Sequence, residues 1–268
     1  MSIIKKEKEE FKKKLTKYKE KLQELEKEEK IISALGKKEK DIQEYVKIKE
    51  CILKIQKASI NCDIAVLSQM LQNIRGDAFI ADARKEVYGI ITDFLKISKI
   101  DHYSTLTDNQ EFLQKISEMN PTQRYNLMKA LHLILNKIYD LELQGKYRWS
   151  LPEIYQKFAL LIFSFLDFKL LEKTKNPDME YYDSLHNHLD LLIEILQKAA
   201  QEYRSKYELA SKDLESLQNV KKNQELLKRI YNFTGDKQEE AKITLALDAT
   251  KAKIDSILEK EKKESKKK

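Results

Sequence analysis

Glycine and proline are nearly missing from this chain, with five and three in 268 residues. So little turn chemistry is poor material for sheets, and it leaves no glycine-rich loop to cradle a phosphate. Cysteine is as scarce. Cys51 and Cys62 make no disulfide framework, and their apolar neighbours read them as small buried hydrophobes, although eleven residues of spacing would let them meet across a helix hairpin. Of four histidines, His186 groups best, with Asp183 and Asp190 at i−3 and i+4 on one helix face. A di-iron bundle needs Glu-x-x-His on two helices, yet Lys99 precedes His102 and Lys129 precedes His132. No metal or cofactor is expected. Nucleophile motifs are missing too, so no catalytic residue is assigned and the chain reads as non-enzymatic.

Long hydrophobic runs are also lacking. The longest, Phe158 to Leu166, is bounded by Lys157 and Asp167, far short of the ~20 apolar residues of a membrane span. The start, MSIIKKEKEEFKKK, has no apolar core of a signal peptide. The default compartment is cytoplasmic. A bacterial cell-surface protein whose signal had been removed would look the same.

What is present is helix-forming. Charged residues are 35% and hydrophobic residues 41%, a balance suited to amphipathic helices, and the fold class is all-α. The net charge of +7 resides in the ends. Residues 1–50 hold 16 Lys against 11 Glu and one Asp, and the last 18 residues hold eight Lys against four acids. Glutamates interleave with the lysines and arginine is rare, so the ends read as solvated faces before they read as nucleic-acid or membrane contacts.

Periodicity divides the chain into about eight helices. Ile4, Phe11, Leu15, Tyr18, Leu22, Leu25 and Ile32 form a heptad-like seam, interrupted at Lys8 and Glu29. This predicts a Lys/Glu-rich coiled-coil-like helix over 1–37, ended by Gly36. A bundle over 38–232 follows. Its helices are expected near 38–58, 61–74 (capped by Asn61), 79–97, 107–118, 121–144, 150–173 and 177–232, the last bending near 210–218. Gly89 predicts a close helix approach. Pro121, Pro152 and Pro177 each stand just behind Asn120, Ser150 or Asn176, where a first turn tolerates a missing N–H. Helix 150–173 is apolar all round over Phe158–Leu166 and is expected at the centre. An amphipathic helix with a Lys-rich tail occupies 233–268. The terminal helices have similarly narrow stripes, which predicts an elongated bundle with a coiled-coil-like stalk; homodimerisation through the first helix is the competing solution.

Much helical surface without convergent chemistry points to a scaffold that binds a protein partner. The alternatives are a surface-anchored extracellular domain of adhesin or host-factor-binding type, and an anionic membrane or nucleic-acid binder. Candidate contact residues are Tyr147, Arg148 and Trp149, a cation–aromatic cluster before the central helix, and the tyrosines Tyr181, Tyr182, Tyr203 and Tyr207, spaced for partly exposed faces.

Overall fold

The computed structural model describes residues 3–39 and 42–265, with side chains from Glu7 onward. The side chain of Ile4 and the lysines at 266–268 lie outside them. Helices account for most of the described residues, and no strand occurs among them. None of these helices is long and apolar enough to cross a membrane. The chain forms two compact units, Met1–Ile97 with Glu111–Arg148, and Ser98–Gln110 with Trp149–Lys268.

In unit 1, α1 (Ile3–Lys38) packs along α2 (Gln43–Gln72), and α3 (Asp77–Ser98), α4 (Gln110–Lys115) and α5 (Pro121–Glu142) follow. The seam of α1 turns inward, burying Phe11 and Leu25. Glu29, which interrupts that seam, meets the Lys57 ammonium at 2.7 Å, and Glu86 of α3 meets the same ammonium at 2.7 Å. Lys57 is only 7% exposed. Burial pushes its pKa down, but the hydrogen bonds to Glu29 and Glu86 outweigh this and hold it above the ordinary lysine value. One charge therefore ties three helices.

Several boundaries differ from expectation, each for a local reason. α1 runs through Gly36, where a side chain would stand 2.7 Å from Val46; the glycine permits close helix approach and does not stop the helix. A side chain at Gly89 would meet nothing within 4 Å, so the close approach expected there belongs to Gly36. Asn61 caps nothing. It is buried inside one continuous α2, because neither glycine nor proline breaks the apolar period there. Cys51 and Cys62 thus share one helix, about 16 Å apart along its axis, both buried and unpaired, and burial pushes both thiols up to about 12. α5 starts as its sequence dictates. Asn120 and Gln123 form a reciprocal capping box with Pro121 in the first turn.

In unit 2, α6 (Leu151–Phe165), α7 (Phe168–Lys173), α8 (Tyr182–Lys206), α9 (Leu214–Thr234) and α10 (Lys237–Ser265) follow one another. α8 packs on both α6 and α9, and α10 packs on α9. Every residue of α6 except Glu153 and Lys157 is buried, so the expected central helix is central to this unit. It is shorter than predicted. Leu166 is extended, and the Asp167 carboxylate accepts from the Leu170 N–H at 3.1 Å, starting α7 afresh. Ser150 forms no side-chain cap. Pro177 lies in a turn, in which Asn176 accepts from the Asp178 N–H, and α8 begins only at Tyr182. The bend comes at Tyr207–Ser211, a wide π turn, after which Lys212 is left-handed and Asp213 caps α9.

Each terminal helix finds its close neighbour next to it in sequence, α1 on α2 and α10 on α9. These are two local hairpins, whose short connections cost little closure entropy.

Two stability predictions follow from these cores. Lys57→Met should destabilise unit 1 by about 3 kcal/mol, since two carboxylates lose their buried counter-charge. Adding Glu29→Gln and Glu86→Gln should recover much of that loss in urea melts. Phe163→Asp places an unpaired charge at a position with 0% exposure and should abolish the folding of unit 2, read as lost helical circular dichroism.

Candidate functional site

An open apolar concavity of unit 1 lies between α2 and α5. Tyr45, Ile48 and Ile52 recur at i, i+3 and i+7 on α2, and Gln123, Leu127 and Ala130 at i, i+4 and i+7 on α5. The cleft between them is about 550 Å³, with Met119 from the turn before α5 also lining it. Ile48 and Leu127 are buried in its floor, while Ile52 is 38% exposed. Lys49, Glu118, Gln123 and Asn126 add polar groups to the lining. The Tyr45 hydroxyl accepts from the Glu118 N–H at 3.1 Å, tying the turn to α2. One turn beyond Ala130, Leu133 of α5 is 60% exposed. Ile52 belongs to the apolar repeat of α2. The apolar repeat was a real signal, but period alone cannot tell a covered face from an uncovered one.

The residues singled out from sequence fall in both units. Tyr147 lies under the Arg84 guanidinium, 3.9 Å from its ring centroid, and its N–H donates to Glu142. Arg148 lies over the Tyr139 ring at 5.0 Å. Both close unit 1, whereas Trp149, half-buried, opens unit 2. Tyr181 is left-handed, with φ 66°, just ahead of α8. Tyr182 stacks on His186, their rings 3.9 Å apart. Tyr203 is in the core, contrary to its expected exposure, and donates its hydroxyl proton to the Gln156 side-chain oxygen at 3.1 Å. It is buried because α8 is covered on two sides, by α6 and α9. Tyr207 is half-buried at the π turn. The two tyrosine pairs sit at opposite ends of α8, about 30 Å apart. Asp183 and Asp190 are exposed around His186, and no cluster of three metal-ligating side chains occurs among the described residues.

Unit 2 has its own polar assembly around residues 98–110. Asn109, fully buried, donates to the carbonyls of Phe163 and Leu166 at 3.0 and 2.6 Å, capping the end of α6. Arg229 of α9 donates to the carbonyls of Ser104, at 2.8 Å, and of His102. Burial pushes the His102 pKa down to about 4, with the charge on Lys222 adding to the effect and a hydrogen bond with Asn223 opposing it. His102 is therefore neutral at pH 7.

The profile of the TP0443 family matches residues 7–258, which takes in most of both units. No curated protein and no solved structure matches the chain.

The low pKa of His102 sets an acid limit. Unfolded, this histidine takes up a proton near pH 6.5, but folded only near 4, so acid favours the unfolded state across that window. Urea melts from pH 7 to 4 should show wild type losing stability relative to His102→Asn. A constant difference between the two proteins would show that His102 titrates normally.

Proposed function

We propose that this chain, which belongs to the TP0443 family, is a non-enzymatic interaction protein. Its α2–α5 groove receives an amphipathic helix from a protein partner. The observation that carries this reading is the groove itself, an apolar floor left open between two helices, with Ile52 exposed in its lining and Leu133 exposed one turn further along α5. Side chains repeating at i, i+3 or i+4 and i+7 on both walls match the spacing of a helix laid between them. Polar groups of both signs, Lys49 and Glu118, would read charges flanking the partner's apolar stripe. A scaffold of this kind needs rigid walls. The Asn120 capping box and the Tyr45 hydrogen bond supply them.

Docking of the basic ends on anionic membrane or nucleic acid is less favoured. On α1, Lys14 pairs with Glu10 at 2.8 Å and Lys21 with Glu24 at 3.0 Å, so part of the positive charge is neutralised within the helix. Both pairs are exposed and weak. They still dilute the field that would attract a polyanion.

A photo-crosslinking residue at position 52 should capture peptides that carry apolar residues at helical spacing. Ile52→Glu and Leu133→Glu should each weaken capture by about tenfold or more with unchanged melting curves. Retention of every partner by both variants would place the interface elsewhere.

A further inference from the structure

A second concavity, wholly within unit 2, has a different character. Glu225, Lys228, Arg229 and Asn232 recur at i, i+3, i+4 and i+7, so one face of α9 forms a wall; Leu247 and Lys251 of α10 face them across about 440 Å³. Three cations and one carboxylate thus line one hollow, with Asp101 and Asp108 close enough to Arg229 to offset part of its charge. Glu225 also has Lys221 at 3.8 Å. Lys228 and Lys251 have no ion-pair partner among the described residues. Elsewhere on α10, Lys237 and Lys242 are matched to Glu240 and Glu239.

Gathering like charges in a concave, partly apolar site costs free energy and raises the local positive potential, which an anion would relieve. Arg229 uses N–H groups on the carbonyls of Ser104 and His102, but a guanidinium has five donors, so others remain. His102 also lines the cleft, and its Nε2 is buried with no hydrogen-bond partner. Such an atom is ordinarily paired with protein, water or ligand. Tyr103, beside it, keeps a large ring 74% exposed at the edge of the same hollow. Cations for a phosphate, the Nε2 edge of His102, and apolar surface from Tyr103 and Leu247 therefore converge on a volume of small-ligand size.

We propose that this cleft binds a small soluble organic phosphate, with Lys228, Arg229 and Lys251 holding the phosphate and Tyr103 and Leu247 lying against the organic body. Phosphate is the anion that best suits the set. Its several oxygens accept from a guanidinium and two ammonium groups at once, each bond charge-assisted. Glu225 would reject a second anionic group beside it and accept a hydroxyl or amino donor from the body of the ligand. The site is independent of the α2–α5 groove.

The test is calorimetric titration of the full chain with adenosine 5′-monophosphate, ribose 5-phosphate and inorganic phosphate, alongside flotation with vesicles containing phosphatidic acid. Adenosine monophosphate should bind saturably and more tightly than inorganic phosphate. Lys228→Ala and Lys251→Ala should each weaken it by about tenfold or more, with unchanged melting. Tyr103→Ala should weaken the nucleotide and leave inorganic phosphate unaffected. In the wild-type protein, binding should move the imidazole nitrogen resonances of His102. The proposal is overturned by no saturable binding up to about 10 mM, by equal affinity for the nucleotide and inorganic phosphate, by affinity unchanged in both lysine variants, or by binding to vesicles alone.

Discussion

The ammonium of Lys57 is the interaction on which unit 1 depends. It is nearly out of water, and a buried charge persists only if the surrounding structure neutralises it. Glu29 and Glu86 do so from two other helices, each at 2.7 Å. This sets the register of α1 and α3 on α2, because sliding either helix by one turn would part its carboxylate from the ammonium. Apolar packing alone is more forgiving. The seam of α1 is narrow, with Phe11 and Leu25 its most buried residues, and one slip along a repeating stripe costs little. A charge at Glu29 makes the register specific.

Unit 2 solves a different problem. Its central helix is too apolar to face water, and its last carbonyls would be orphaned inside the core. Asn109 reaches those carbonyls from the 98–110 segment, and Arg229 holds the same segment through its own backbone carbonyls. The amide that finishes the core and the arginine beside the cationic cleft therefore act on one short stretch of chain. A group that binds in the cleft would bear on a segment that also completes α6.

These two solutions bear on how a helical protein displays function. Both concavities are lined at helical repeats, one apolar and one cationic, and both walls are rigid because caps and buried polar bonds fix them. The apolar groove suits a macromolecular helix, which can cover a long stripe. The smaller cationic cleft suits a compact anion. The tyrosines of α8 fit neither role, since one is a core residue and the rest are split between the ends of a long helix.

Composition and periodicity determined the all-α class, the central position of the Phe158–Leu166 run and the start of α5, and placed near 210–218 a bend that comes at Tyr207–Ser211. These are local matters. Propensity, apolar period and capping chemistry act over a few residues, and a single chain carries them in plain view. Glu29 shows where that legibility stops. Along the sequence it is a flaw in a seam; its partner, Lys57, is 28 residues away and becomes its neighbour only when α1 folds back on α2. Asn61, Gly36 and Gly89 have the same lesson, for their roles depend on what stands across from them. Only the tertiary structure decided which repeats are covered and which stay open, because burial is a relation between elements and no one helix contains it.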